Sequence, residues 1–197
     1  MLELLLEVDK YAFVFLNSLH ITWLDAPMMF CTAELTWLPL YVLLLVLAYR
    51  QLGLKKTGWF VLGIVLVIAF ADQTTSSLMK PAFQRLRPSH EANLRAHIHL
   101  VKNKKGRIYK GGKFGFASSH AANSFGLAMF FFLYFRKQWR GVRLLFLWAA
   151  LLSYTRIYLG VHYPLDIIVG ALVGMFGAVL VFQLKTYLPK SEAKIQH

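Results

Sequence analysis

Along this chain, apolar residues gather into long runs that polar connections separate. Four runs approach the roughly 20 consecutive apolar residues that a helix needs to cross a bilayer: Ala26 to Tyr49, Gly58 to Met79, Phe116 to Phe135, and Leu165 to Leu184. A fifth, Trp139 to Thr155, is shorter and starts with Arg140 and Arg143; their stems can lie along apolar surface while the charged heads reach water. Residues 1 to 20 follow another pattern. Glu3, Glu7 and Lys10 fall on one helical face and Leu2, Leu5, Leu6, Phe13 and Leu16 on the other, which predicts an amphipathic helix lying in the membrane interface. A signal peptide is not expected, because Glu3 and Glu7 stand where a basic segment belongs and no small-residue cleavage site follows. The fold class expected is an all-α, polytopic membrane helix bundle with five spanning helices plus the N-terminal amphipathic helix; six spans, with residues 1 to 20 also crossing, is the alternative.

The pattern predicts one membrane-embedded domain over residues 1–197, without internal repeat or low-complexity linker. Its long polar connection covers residues 80–115. Within it, Ile98 to Val101 and Arg107 to Tyr109 flank the polar turn Asn103-Lys104-Lys105-Gly106, a hairpin pattern. Gly111-Gly112 then breaks the chain before the next helix.

Composition supports the membrane reading: 57% of the residues are hydrophobic and only 16% charged, more apolar surface than so short a soluble chain could cover. The single cysteine, Cys31, excludes an internal disulfide and any thiolate metal cluster. A net charge of +13 is compatible with nucleic acid, but the cations sit at segment ends and in one loop, as in a membrane protein. Arg50, Lys55 and Lys56 flank one short connection, Arg136, Lys137, Arg140 and Arg143 another, and Lys185, Lys190 and Lys194 follow the last run. By the positive-inside rule these ends are cytoplasmic. The 80–115 loop carries equally many cations, from Lys80 and Arg85 to Lys110 and Lys113, so the orientation rests on the short connections. A loop that meets anionic substrates is basic for its own reason, and the active face is then expected to be periplasmic.

The chemistry lies in three groups at the ends of the runs: Lys80 with Arg87-Pro88; Ser118-Ser119-His120; and Thr155-Arg156 with His162 and Asp166. In an antiparallel bundle all emerge on one face. Pro164 suits the first position of a helix, which puts Asp166 in its first turn and lets it reach back toward His162. A carboxylate on one imidazole nitrogen fixes the tautomer and leaves the other for attack, so His162 is the expected nucleophile. Ser118 is a plausible N-cap, its helix start an anion site, and His120 is placed to protonate a departing alkoxide. Lys80, Arg87 and Arg156 are expected to neutralise phosphoryl oxygens.

Weaker candidates complete the reading. Asp72 precedes Lys80 by two helical turns and could hold a site cation, a buried structural hydrogen bond being the alternative; Glu34 is a second acid inside a run. Gly170, Gly174 and Gly177 mark a close-packed helix face. His97 and His99 have strand spacing but no carboxylate partners, which favours ordinary loop over metal.

Lys80 to Arg87-Pro88, Ala117-Ser118-Ser119-His120, and Thr155-Arg156 to His162 and Asp166 together resemble the motifs of the type 2 phosphatidic acid phosphatase superfamily. The resemblance covers about Gly58 to Leu184 and departs at Ala117, where the family has proline, at Ser119, where it has glycine, and at Thr155, where it has serine. It implies a metal-independent phosphatase without cofactor, whose His162 attacks phosphorus with Asp166 orienting it. His120 protonates the leaving group, while Lys80, Arg87, Ser118 and Arg156 hold the phosphate; Ser119 and Asp72 are supporting residues. The substrate implied is a phosphorylated lipid at the bacterial inner membrane. The short chain, the basic loop and the stretch from Gly115 to Asn123 are similar to the lipid A 4'-phosphatase branch, with undecaprenyl diphosphate, phosphatidylglycerol phosphate and phosphatidic acid as alternatives. A non-enzymatic anionic-lipid binder would explain the cations, but not the two histidines or Asp166.

Overall fold

Proline, glycine and capping serine decide where the apolar runs become helices. The computed structural model describes residues 1–103 and 105–187; Lys104, Lys190 and Lys194, used above in the charge pattern, lie outside the described residues. The α-helices are α1 (Leu2–Ser18), α2 (Asp25–Cys31), α3 (Leu38–Leu52), α4 (Leu54–Asp72), α5 (Lys80–Phe83), α6 (Ser119–Phe135), α7 (Leu144–Tyr158) and α8 (Pro164–Tyr187). A π-helical stretch, Gln73–Met79, joins α4 to α5 without a break. Among the described residues, β pairing is limited to two isolated antiparallel bridges, Leu86 with Phe114 and Lys102 with Ile108. The second is the hairpin expected between residues 98 and 109, closed by Tyr109 N–H to Val101 O at 2.9 Å.

Three helical segments are long and apolar enough to cross a membrane: Glu34–Leu52, Leu54–Phe83 and Pro164–Leu184. The first corrects the run expected from Ala26. The chain leaves the α-helix after Cys31 and re-enters through a 3-10 turn at Glu34–Trp37, with Pro39 in the first turn of α3, where a missing N–H costs least. Thr36 Oγ1 donates to Phe30 O at 2.6 Å and Trp37 Nε1 to Cys31 O at 2.8 Å, satisfying carbonyls that the break exposes. Glu34 therefore stands at the start of this segment, exposed, not within it. The second segment continues past Met79 to Phe83, so Lys80 is helical and the basic loop begins after it. Two other boundaries move: α6 starts at Ser119 because Ser118 caps it, and Arg140–Arg143 form a 3-10 turn before α7.

The glycine face predicted on α8 is where α6 and α8 run in parallel. A Cβ on Gly170 would overlap the Ser118 carbonyl, one on Gly174 the Ala122 carbonyl, and one on Gly177 the Phe70 ring. α4 packs antiparallel against the same pair, with Gly63 beside Phe130 and Val67 beside Gly126. Phe60 is enclosed by Phe130, Phe131, Tyr134 and Phe135 at ring separations of 4.8 to 5.4 Å. Helices α4 and α7 end, and α6 and α8 begin, on one face of the bundle.

The helix expected over residues 1 to 20 forms, but its faces differ from the pattern read in sequence. Its buried residues are Asp9, Phe13 and Asn17, one per turn, whereas Leu2, Leu4, Val8, Tyr11 and Phe15 are exposed. The reason is polar pairing. Asn17 Nδ2 donates to the carbonyls of His99, Ile157 and Tyr158 at 3.2, 3.1 and 3.0 Å, and its Oδ1 accepts the His99 N–H at 2.7 Å. Asp9 Oδ1 accepts the Leu165 N–H at 2.8 Å.

Candidate active site

His162 sits in the tight connection between α7 and α8. Val161 N–H and His162 N–H both donate to Arg156 O, at 3.0 and 3.2 Å, so the connection curls around the end of α7. Pro164 opens α8 and places Asp166 in its first turn. His162 Nδ1 faces Asp166 Oδ2 at 3.3 Å, and the same oxygen accepts the Tyr163 N–H at 3.0 Å. Both side chains are buried, His162 1% exposed and Asp166 not at all.

The Asp166 carbonyl accepts the Ser118 N–H at 2.9 Å, which brings the start of α6 against the start of α8. Ser118 Oγ accepts the Ala121 N–H at 3.4 Å, the N-cap bond expected for it. Its neighbour Ser119, standing where the family motif has glycine, forms a polar hub. Lys80 Nζ donates to Ser119 Oγ at 2.6 Å and to Ser76 Oγ at 3.1 Å, while Thr75 Oγ1 and Ser76 Oγ each lie 2.9 Å from Ser119 Oγ. The wider π-helical turn puts Thr75, Ser76 and Lys80 on this side together. Asp72 reaches Lys80 only through a relay: its Oδ1 accepts from Ser76 Oγ at 3.1 Å.

Arg87 and Arg156 complete the cradle. The segment of Arg85 to Arg87 pairs with Lys113 to Gly115 through Arg87 N–H to Lys113 O at 3.1 Å and Gly115 N–H to Arg85 O at 2.9 Å. Arg87 Nε donates to Phe114 O at 3.1 Å, and the guanidinium lies over Gly111. That glycine is required twice, since its φ is +65° and a Cβ there would lie 2.6 Å from Arg87 Nη1. Arg156 is 2% exposed; its Nη1 donates to Thr32 Oγ1 at 2.5 Å, and Nη1 and Nη2 both approach Tyr109 OH at 3.2 Å. Arg87 Nη1 and Arg156 Nε are buried donors without a hydrogen-bond partner among the described residues. Such donors are costly unless an acceptor meets them, and phosphoryl oxygens are acceptors of the matching charge.

The field follows from this crowding. Burial first, then Arg87, Arg156 and Lys80, hold the His162 pKa well below the ordinary histidine value, offset in part by a Gly115 backbone hydrogen bond. The imidazole is therefore neutral at neutral pH. Burial and the nearby Arg156 bring Arg87 down to about 10, still a cation at neutral pH. His120, on the first turn of α6, lines a cavity of about 400 Å³ whose walls are mostly apolar, among them Tyr41, Leu44, Ile64, Leu127 and Trp148. Thr32, Glu34, Asn123 and Ser124 supply its remaining polar lining.

Lys80, Arg87, Ser118, Ser119, His120, Arg156, His162 and Asp166 thus gather at one end of the bundle, and Asp72 stands behind Ser76, two hydrogen bonds from Lys80. His99 has another role: its Nε2 pairs with Asp25 Oδ1 at 2.8 Å, and its ring stacks on His20 at 3.9 Å. Four polar residues at the site escaped the sequence reading as site groups: Asp9, Thr32, Arg85 and Tyr109. Arg85 had a usable signal, because in extended chain residues two apart share a face; its side chain reaches Asp166 on α8. Asp9 belongs to the one-per-turn set with Phe13 and Asn17. Thr32 and Tyr109 carry no local pattern.

A membrane bundle that buries a histidine and carboxylate among fixed cations, beside an apolar cavity, is the architecture of a membrane lipid phosphatase. The model of the PAP2 superfamily matches residues 57–190, and the chain belongs to that superfamily. It is 41% identical over 182 residues to the lipid A 4'-phosphatase of Bacteroides thetaiotaomicron, covering 92% of this chain and 79% of that protein. It is 34% identical over 188 residues to the lipid A 4'-phosphatase of Porphyromonas gingivalis, covering 94% and 76%. The crystal structure of Aquifex aeolicus LpxE superposes with a TM-score of 0.64 at 26% identity, over 87% of this chain and 92% of that one.

Proposed function

We propose that this phosphatase removes the 4'-phosphate of lipid A, with His162 as nucleophile and a phosphohistidine intermediate. The observation that carries the reading is the His162 and Asp166 pair beside two buried arginines whose free donors meet no acceptor among the described residues. The whole-chain similarity to two lipid A 4'-phosphatases supports the substrate. His162 Nε2 attacks phosphorus while Nδ1 is held by Asp166. The P–O bond to the sugar breaks, and His120 delivers a proton to the departing oxygen. Water then attacks the phosphohistidine, with His120 accepting its proton, and inorganic phosphate leaves. Lys80, Arg87 and Arg156 and the Ser118 turn balance the charge on the phosphoryl oxygens throughout. No step requires a metal, since fixed cations supply that stabilisation. The cavity beside His120 suits an acyl chain, and the loop cations Lys102, Lys105, Arg107, Lys110 and Lys113 suit a headgroup with a second phosphate.

In this reading five segments cross the inner membrane, the active face is periplasmic, and α1 lies along that face. Support for the last point comes from its two buried polar residues. Asp9 bonds the start of α8 and Asn17 the end of α7, both at the mouth, although eight residues of helix span about 12 Å; a crossing helix would carry them to different depths.

Purified protein given lipid A should yield product lighter by one phosphate, with fragmentation locating the loss on the distal sugar. His162→Ala should be inactive and fold normally, and rapid quench of the parent should trap an acid-labile phosphoenzyme. Chelator should leave turnover unchanged and vanadate should inhibit. Unchanged lipid A alongside robust hydrolysis of undecaprenyl diphosphate would transfer the assignment to that lipid. Turnover by His162→Ala would sink the phosphohistidine.

A further inference from the structure

The oxygen of Asp166 that does not face His162 has its own partner. Asp166 Oδ1 accepts from Arg85 Nη1 at 3.0 Å, and Arg85 Nη2 donates to Asp9 Oδ2 at 2.7 Å. Asp9 Oδ1 in turn accepts the Leu165 N–H at 2.8 Å, closing a ring onto the residue before Asp166. The Arg85 guanidinium lies 4.0 Å from the centre of the Tyr163 ring, so its plane rests on an aromatic face. Neither acid is exposed enough for water to compete: the Asp9 and Asp166 side chains are 5% and 0% accessible.

We propose that Arg85 and Asp9 are positioning residues for the phosphoryl transfer, dividing one guanidinium between two carboxylates so that Asp166 keeps an oxygen for His162. The inference rests on the assignment of His162 and Asp166 above. A guanidinium facing a single carboxylate forms a fork of two parallel N–H···O bonds and occupies both oxygens. Asp9 prevents that by taking Nη2. Only Oδ1 of Asp166 is then bound to Arg85, while Oδ2 stays with the Tyr163 N–H and His162 Nδ1. Without Asp9, Arg85 is free to fork onto Asp166 and compete for the oxygen that orients the nucleophile. Without Arg85, two buried carboxylates lose the cation they share, and Asp166 loses one of the anchors that fix its rotamer. The phosphate cradle itself, Arg87, Arg156 and Lys80, is untouched by either change, so substrate binding should survive while chemistry slows.

Steady-state kinetics on a lipid phosphate should compare the parent, Asp9→Ala, Arg85→Ala, the double variant and His162→Ala, each checked by thermal unfolding. Asp9→Ala and Arg85→Ala should lower kcat by about 10-fold to 100-fold, the scale of a displacement near 1 Å, with KM within about twofold of the parent, because only transition-state alignment is lost. In the Arg85→Ala background the Asp9 change should have no further effect, since no guanidinium remains to divide. Where Asp9→Ala does not fold, Asp9→Asn carries the test; it keeps the volume, loses the charge that holds Nη2, and should lower kcat at constant KM. A parental kcat for the folded Asp9 variant, beside an inactive His162→Ala, would overturn this inference and leave the catalytic assignment standing. So would a raised KM with unchanged kcat, or independent, multiplicative losses in the double variant. Parental turnover by His162→Ala would overturn both.

Discussion

Adding one methyl group at Gly174 tests whether the close approach of α6 and α8 sets the geometry of the site. A Cβ there would overlap the Ala122 carbonyl oxygen and crowd its carbon at 2.7 Å. The obstructing atoms are backbone, so no rotamer change relieves them, and the helices must separate. Overpacking of a close-packed core costs about 1–3 kcal/mol, and a backbone obstacle puts Gly174→Ala near 3 kcal/mol, the top of that range. For a chain of this size about 1 kcal/mol lowers the melting temperature by about 2–4 °C, giving an expected loss of about 6–12 °C. Function should suffer as well, because α6 carries His120 and α8 carries Asp166, and separation by even part of about 1 Å would misalign the proposed acid and nucleophile. Gly58→Ala is the control: nothing lies within 4 Å of a Cβ there, and its effect should stay within about 0.5 kcal/mol. Thermal unfolding in one detergent, followed by phosphate release from lipid well below both transitions, reads the two effects separately. A Gly174→Ala protein that melts and turns over like the parent would refute the reasoning.

Three other expectations follow from the same contacts. His120→Ala should be far slower on a lipid phosphate than on a nitrophenyl phosphate, whose departing oxygen needs little protonation; equal losses would make His120 a binding residue instead. Tyr109→Phe removes the hydroxyl shared by Arg156 Nη1 and Nη2, so KM should rise by the equivalent of about 1.5–3 kcal/mol while kcat stays near parental; an unchanged KM would show that Thr32 alone suffices to hold Arg156. His162 is kept neutral, mainly by burial and then by Arg87, Arg156 and Lys80, so its ring, followed by NMR, should remain neutral at about pH 6.5 and protonate only well below it. The sign for stability agrees: below about pH 6.5 the unfolded chain binds a proton that the fold refuses, so stability decreases as pH falls. A His162 ring that protonates at the ordinary histidine value would contradict this.

What the sequence revealed, and what it concealed, divides by range. Ser118 capping α6, Pro164 opening α8, the glycine face of α8 and the 98–109 hairpin each depend on residues a few positions apart, and local stereochemistry is enough to read them. The first long segment was misread because periodicity registers apolar content but not the break after Cys31, which is stabilised by Thr36 and Trp37 reaching back across it. In α1 the two-face pattern left open which residues meet the bundle. Beside Phe13, the inward residues Asp9 and Asn17 satisfy backbone groups at the start of α8 and the end of α7, a long-range need that helical periodicity does not register, while Leu2, Leu4, Val8, Tyr11 and Phe15 face outward.

Arg85 shows why the supporting shell of a site is harder to read than its reacting groups. His162 and Asp166 announce themselves by helical spacing, four positions apart, with their partner in the same turn. Arg85 and Asp9 are separated by 76 positions, and Arg85 and Asp166 by 81, so beyond its two-residue spacing from Arg87 nothing local distinguishes Arg85 from the other cations of a basic loop. Its selection is electrostatic. A carboxylate removed from water needs a fixed counter-charge, and once Asp166 is placed at the buried start of α8, some cation must meet the oxygen that His162 does not use. Lys80 is bound to Ser76 and Ser119, Arg87 to the Phe114 carbonyl, and Arg156 to Thr32 and Tyr109, which leaves the extended segment before Arg87 to supply it. The need for an Arg85 is therefore derivable from the motif, whereas its division between two acids depends on where α1 docks.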